Sequence, residues 1–379
     1  MTGLAGLDGA ARSARRGRYN FSGGPGALPE EVLREAQQAI VEVPGTGLSV
    51  LGLGHRTPWF RNVVDETVHN LRCLLNLPDG YEVLLLQGGA SLQFSMVPMA
   101  LLRGREQAAD YLATGYWSAK ALPEARREGA VRALWDGSIA GYTCLPSDDE
   151  LDCNPRAPYL HYVSNETVEG LQFHRVLGLE GVPRVCDMSS DFLSAPLDAT
   201  RFALIYAHAQ KNLGPAGVTV VVLRREVIDA APADLPAMLD YRRHTHMGSI
   251  YNTPPVFAIY VTLLVTRWLC AQPGGLRGVA ERNEAKASRL YALLDASGAF
   301  YRPRAAVADR SRMNVVFSLP SAELERTFLR RAEAAGFSGL EGHRTLGGVR
   351  ASLYNAVTID EVAALCAFMQ EFQRSAEVQ

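Results

Sequence analysis

The chain has 379 residues, is 47% hydrophobic and 21% charged, and carries a formal net charge of −2. This composition excludes a disordered or fibrous chain and suits a soluble globular protein of about two domains. The near-neutral balance gives no electrostatic footing for nucleic acid or a membrane surface.

Taken in chain order, the first 18 residues hold Arg12, Arg15, Arg16 and Arg18 with one acid, Asp8. A transit peptide would be richer in serine and free of acids, so a flexible tail is expected. Pro29-Glu30-Glu31 reads as a helix start, with proline first and acids in the first turn. Val32, Leu33, Ala36 and Ile40 then fall on one face. From Tyr81 the pattern becomes short apolar runs separated by helical stretches. The runs are Val83–Leu86, Tyr111–Ala113, Tyr159–Val163, Val185–Cys186, Leu204–Ala207 and Val218–Leu223. Ser91 to Leu102 and Trp117 to Glu128 read as helices between them. Several runs are apolar on both faces, as buried parallel strands are. The alternation predicts an α/β fold with a mainly parallel sheet.

The longest apolar run, Val256 to Val265, is too short for a membrane span of about 20 residues. Gln272-Pro273-Gly274-Gly275 breaks the pattern and suggests a domain boundary. The expected division is a large domain over 19–272 and a small α+β domain over 273–379. Residues 19–29 are able to pack with the small domain. In the latter, a helix is expected from Leu276 to Leu294, a strand over Asn314–Ser318, a helix over Glu323–Ala335 and a strand over Val349–Leu353. The last helix opens on a capping box, Thr358 with Glu361, and shows the face Val362, Leu365, Met369 and Phe372. Six scattered cysteines without a CxxC pair read as reduced thiols of a cytosolic protein.

Several segments could carry chemistry. A strand runs toward Lys211, and the chain then turns through Gly214-Pro215 and Gly217. A lysine so placed overhangs a cleft, and burial would make its amine nucleophilic. Taken alone, it reads as well as a surface lysine beside a turn. Asp187 ends the strand at Val185-Cys186, where ligands of open α/β sheets bind; a turn residue or N-cap is the plain alternative. Gln87-Gly88-Gly89-Ala90-Ser91 links a strand to a helix whose free N–H groups suit a phosphate. Trp117 follows a strand in Thr114-Gly115-Tyr116-Trp117, where an indole could stack on a flat ring or fill the core. His55-Arg56 and His343-Arg344 lie in glycine-rich loops, and Arg350 lies in a strand. Arginine forks suit carboxylate and phosphate, although a single arginine is usually a solvated charge.

Taken together, these segments resemble the phosphoserine aminotransferases, a family of fold-type I enzymes that use pyridoxal 5′-phosphate (PLP). The likeness runs from Tyr19-Asn-Phe-Ser-Gly-Gly-Pro25 to the last helix. It includes Gly54-His55-Arg56, Gln87 to Phe94, Thr114 to Trp117, Ser164-Asn-Glu-Thr167, Asp187 to Ser190, Gln210 to Gly217, Tyr251 to Pro255, Gly342 to Arg344 and Arg350 to Asn355. The resemblance implies a seven-stranded, mainly parallel sheet sandwiched by helices. It implies that Lys211 holds PLP as a Schiff base and shuttles a proton. Asp187 would pair with the pyridine nitrogen, Trp117 would stack on the ring, and Thr167 would bond its hydroxyl side. Ala90, Ser91 and Gln210 would hold the phosphate, with Asn252 and Thr253 reaching in from a second subunit. Arg350 would bind the substrate α-carboxylate. His55 and Arg56, with His343 and Arg344 from the partner chain, would bind a distal phosphate or carboxylate. No metal is implied. A cytoplasmic homodimer with shared sites is expected, acting on glutamate and 3-phosphohydroxypyruvate in serine synthesis. A second activity on a phosphorylated hydroxythreonine of vitamin B6 synthesis stays open.

Some family members have arginine where this chain has Ser91, so the phosphate site has one positive charge fewer. The readings weighed against this one are an alanine–glyoxylate or serine–pyruvate aminotransferase, a cysteine desulfurase, and a PLP-binding regulator. The first leaves the His-Arg pairs unexplained. The second needs a mobile cysteine near the cleft, and Cys366 sits in an expected helix. The third normally carries an added DNA-binding module.

Overall fold

The computed structural model describes residues 18–377. The expected tail, Arg18 apart, lies outside them. The elements, in chain order, are β1 (Tyr19–Asn20), α1 (Glu30–Val41), α2 (Pro58–Leu74), β2 (Tyr81–Leu86), α3 (Gly89–Leu101), β3 (Ala109–Ala113), α4 (Tyr116–Arg126), β4 (Val131–Asp136) and β5 (Leu160–Val163). The short hairpin β6 (Asn165–Glu166) and β7 (Leu171–Gln172) follows, then β8 (Arg184–Asp187), β9 (Leu204–His208), β10 (Thr219–Arg224), α5 (Arg225–Ala230), α6 (Tyr241–His246) and α7 (Val256–Cys270). The chain ends with α8 (Gly275–Ala296), β11 (Arg302–Pro303), β12 (Asn314–Ser318), α9 (Ala322–Ala334), β13 (Phe337–Ser338), β14 (Val349–Ser352) and α10 (Ile359–Glu377).

Among the described residues, the main sheet has seven strands in the order β2-β10-β9-β8-β5-β3-β4. Only β10 runs antiparallel to its neighbours. The period-2 geometry of a strand sends successive side chains to opposite faces, and here both faces are apolar. Val83, Tyr162, Cys186, Ile205 and Val220 join a core with α1, α2 and α7. Leu84, Tyr111, Val185, Tyr206 and Val221 join a second core with α3, α4 and α5. The apolar run that begins at Val256 is α7, buried on nearly every side, as a helix without a polar face must be.

Two local readings change. The buried stripe of α1 is Val32, Ala36 and Ala39, while Ile40 is 42% exposed. Positions 32, 36, 39 and 43 lie along one helical stripe, and 40 falls on its flank. Helix α2 was not anticipated, although its signals are present. Thr57 accepts the Phe60 N–H, Pro58 opens the first turn, and Phe60, Val63, Val64, Thr67 and Leu71 are buried.

A third core joins the far half of α8 to β12, α9, β14 and α10. Val362, Leu365, Met369 and Phe372 fill it, and Phe21 enters from the start of the chain. Beside Phe21, Tyr19 and Asn20 pair in parallel with Phe337 and Ser338. Helix α8 spans two cores: Leu276 and Val279 belong to the first, Ala287, Leu290 and Leu294 to the third. Among the described residues no single helix is long and apolar enough to cross a membrane.

Candidate active site

Strands β2, β3, β5, β8 and β9 all end at one edge of the sheet, and the loops leaving them form a cleft of about 210 Å³. This is the carboxyl edge, where open α/β sheets bind ligands. Lys211 stands three residues beyond β9 and lines the cleft. Its side chain is buried, which pushes the amine down to about 8; Asp187 opposes this shift and Arg350 adds to it. A lysine held near neutrality is a competent nucleophile and proton carrier.

Asp187 closes β8 and is also buried. Burial raises its pKa, while the Ser189 hydroxyl and the Lys211 charge hold it down. The Ser189 N–H and hydroxyl both donate to Oδ1, at 2.8 and 2.6 Å. The backbone N–H of His208 donates to that same hydroxyl at 3.1 Å, so the end of β9 steadies the acid of β8. Oδ2 has no protein donor among the described residues, which leaves one lone-pair face for a ring N–H.

Trp117 begins α4 beside Lys211, whose Nζ lies 5.7 Å from the ring centroid. Its indole N–H donates to Thr167 Oγ1 at 3.0 Å. The first turn of α4 is held by two buried acids. Glu166 accepts from the backbone N–H groups of Trp117 (3.1 Å) and Ser118 (2.8 Å), and Glu169 accepts from that of Tyr116 (3.0 Å). Burial raises the pKa of both, and the facing Glu166 charge raises Glu169 further. Gly115 has no room for a side chain: a Cβ there would stand 2.6 Å from Glu169 Oε2.

Ala90 and Ser91 lie in the first turn of α3, after Gly88 in the left-handed region at φ 89°. No side chain caps this helix, so its leading N–H groups are open to an anion. Gln210 lines the same cleft, and its carbonyl accepts the Gly26 N–H at 2.8 Å. Open helix N–H groups, a one-sided buried acid, an indole face and a buried lysine fit a phosphorylated pyridine aldehyde.

Beyond the residues that line the cleft, a group from the far end of the chain approaches Lys211 and Thr167. Arg350, in β14, donates from Nη1 to the Thr167 carbonyl at 3.3 Å, and its Nε is buried without a partner. Gly23 packs so closely on this guanidinium that a Cβ would stand 2.3 Å from it. His343 lies in the loop 342–348, which is closed by the bridge between Glu341 and Val349. Its ring sits 4.7 Å from that of Tyr116 in the same chain. Its loop is tied to the strand that carries Arg350. Arg344 beside it is exposed. His55 and Arg56 lie on the loop before α2 and do not line the Lys211 cleft. Asn252 and Thr253 do not line it either; the Gln87 side chain donates to Asn252 Oδ1 at 3.2 Å and to the Thr253 carbonyl at 3.1 Å. Cys366 is packed in the third core, and among the described residues no cysteine lines the cleft.

The family described as Aminotransferase class-V matches residues 18–365. A phosphoserine aminotransferase of Laribacter hongkongensis is 50% identical over 356 residues, 94% of this chain and 98% of that one. The solved phosphoserine aminotransferase of Bacillus circulans subsp. alkalophilus superposes with a TM-score of 0.91 at 46% identity, covering 95% of this chain and 99% of that one. The chain belongs to the phosphoserine aminotransferases of class V. It is a PLP-dependent aminotransferase with the fold-type I architecture. A PLP-bound phosphoserine aminotransferase from Trichomonas vaginalis has the same fold, with a TM-score of 0.86 at 34% identity over 93% of this chain and 99% of that one.

Sequence reasoning overlooked Glu166, Glu169, Ser189 and His208. Glu166 and Ser189 stood inside quoted motifs without a role. Their contacts join segments some 20 to 50 residues apart, so no local spacing reveals them.

Proposed function

We propose that this enzyme moves an amino group from L-glutamate to 3-phosphohydroxypyruvate, giving O-phospho-L-serine and 2-oxoglutarate in serine synthesis. The observation that carries the reading is the pairing of a buried, neutrality-poised Lys211 with a facing arginine, Arg350, whose Nε has no partner. PLP, when bound, supplies an electron sink for the bond cleaved at the substrate Cα. Asp187 holds the proton on the ring nitrogen. Trp117 fixes the ring plane, and Thr167 fixes Trp117. Gln210 and the open N–H groups at Ala90 and Ser91 hold the phosphate. Arg350 takes the α-carboxylate and sets Cα beside Lys211, so that proton transfer becomes effectively unimolecular. Lys211 Nζ would then carry the proton from the substrate Cα to the cofactor carbon C4′, on the far side of the nitrogen.

The second anion is the specific part. Phosphoserine and glutamate differ in length, and each ends in an anion. His343 of the same chain, with Arg344, offers donors beyond Tyr116. We assign His55, Arg56, Asn252 and Thr253 to the site of a second subunit in a cytoplasmic homodimer, since their own chain does not bring them to Lys211. Cations gathered there and left without an anion would be costly, which discriminates against short neutral side chains. Residues 19–272 and 273–379 act as large and small domains.

A half-reaction spectrum tests this. The yellow protein is mixed in turn with O-phosphoserine, glutamate and alanine. The visible band of the lysine-bound cofactor bleaches with the first two and persists with alanine. Bleaching by alanine at the same concentration sinks the assignment. A phosphorylated hydroxythreonine in a fourth cell measures the second activity directly.

A further inference from the structure

Lys286 lies in the middle of α8, 1% exposed. A buried ammonium needs partners, and no carboxylate lies within ion-pair distance among the described residues. Its Nζ instead donates to three backbone carbonyls, those of Leu353 (2.9 Å), Tyr354 (2.9 Å) and Val357 (2.8 Å). Three donors meet three acceptors, which is the full capacity of an ammonium group. Burial lowers this amine to about 7, while Glu361 at longer range draws it back up.

The three carbonyls belong to the turn from β14 to α10, and this turn is tied to the catalytic cleft. The Asn355 N–H donates to Asn212 Oδ1 at 3.0 Å, one residue from Lys211. Asn355 Nδ2 donates to the Leu193 carbonyl at 3.1 Å. The Tyr354 hydroxyl donates to the Gly23 carbonyl at 2.9 Å, and Gly23 packs on the Arg350 guanidinium. One turn earlier on α8, Asn283 Nδ2 donates to Asn355 Oδ1 and to the Ser194 carbonyl, both at 2.9 Å. One face of α8 thus grips the turn, and the turn grips the neighbours of both Lys211 and Arg350.

We propose that Lys286 is a positioning residue whose ammonium fixes the 353–357 turn and thereby sets Arg350 against Lys211. The inference rests on the reading that Arg350 receives the substrate carboxylate.

The test uses Lys286→Gln, Lys286→Met and, from the next turn of α8, Asn283→Ala. In the cofactor-free protein, amide hydrogen exchange over 349–357 quickens about tenfold in Lys286→Gln, the loss expected for a hydrogen bond to a charged donor. Exchange over 204–212 stays as in the wild type. In the loaded enzyme, the glutamate concentration for half-saturation of the half-reaction rises about tenfold, with the limiting rate within about threefold. Asn283→Ala moves both quantities in the same direction by less. Should Lys286→Met not fold, the other two variants carry the test. Exchange that quickens evenly along the chain, or a Lys286→Gln enzyme with wild-type half-saturation and wild-type exchange over 349–357, overturns the proposal. If the wild type gives no half-reaction with glutamate, the functional reading fails, and the exchange experiment still decides the role of Lys286.

Discussion

The two walls of the cleft are built differently. The cofactor wall carries Lys211, Asp187, Trp117 and the start of α3, each within a few residues of the end of a strand in one sheet. Backbone ladders fix those strand ends, and a second set of bonds fixes the side chains, such as His208 to Ser189 to Asp187. The proposed substrate wall carries Arg350, on a separate antiparallel sheet, and His343, on the loop before β14. It meets the loops of the cofactor wall largely through polar side-chain contacts, among them Arg350 to Thr167, Asn355 to Asn212 and Asn165 to Asn314. A rigid wall suits chemistry at one fixed atom. A wall joined to it through side-chain contacts suits the proposed pair of substrates of different length.

The largest expected effect falls on the rigid wall. Lys211→Ala abolishes the visible band of the lysine-bound cofactor, and turnover falls at least about a thousandfold, since the proton carrier is gone with the nucleophile. Arg350→Ala leaves that band intact and raises the half-saturating concentration of glutamate and of phosphoserine by about ten- to a hundredfold, the worth of one charge-assisted contact. Absorbance titrations measure both. If Arg350→Ala also erased the band, the two walls would not be separable in the way described.

Most of the rigid wall was legible because its residues follow strands, and buried strands announce themselves as short apolar runs. Lys211, Asp187 and Trp117 were each found in this way, and each was ambiguous until the set was assembled. The seven-stranded count and the finer roles came from family resemblance. The substrate wall was less legible. His343 was expected in an anion site, but its contact with Tyr116 and the bridge from Glu341 to Val349 that ties its loop to β14 are tertiary facts that no spacing shows. Glu169, Lys286 and Asn283 gave no signal at all: a buried polar side chain reads as a surface one until its burial is known. Helix α2 is a different kind of miss, since Thr57 and Pro58 are ordinary start signals that went unread.

A smaller effect sharpens the comparison from inside the rigid wall. Glu166→Gln replaces one of two accepting oxygens with an N–H donor facing a backbone N–H, and should cost about 1–3 kcal/mol. Urea unfolding measures the loss, and a changed tryptophan emission in the cofactor-free protein reports that Trp117 has moved. Glu169 adds a pH signature. Its pKa is raised in the folded chain, by burial first and the Glu166 charge second, against an unfolded value near 4.5. The folded state therefore holds a proton that the unfolded chain has already released. Stability is greatest near the ordinary carboxyl range and declines as pH rises from there through neutrality. Glu169→Gln flattens that decline. An unchanged slope would mean that another group controls it.

The smallest effect belongs to Ser91, an uncharged residue at the start of α3. Ser91 is exposed in the first turn of α3. An arginine there sits at the positive end of a helix, which disfavours it by about 0.3–1 kcal/mol when no anion is bound. A bound phosphate reverses the sign, because the guanidinium then gains a charge-assisted bond. Exposure keeps that gain at the low end of its range. Ser91→Arg should therefore lower the melting temperature of the cofactor-free protein slightly and raise that of the loaded one. PLP affinity should rise by about three- to tenfold, with turnover at saturating PLP unchanged. Equilibrium dialysis against PLP measures the shift. Weaker binding in the variant would show that the α3 N–H groups already satisfy the phosphate, and that the uncharged residue at position 91 is matched to the rest of its wall.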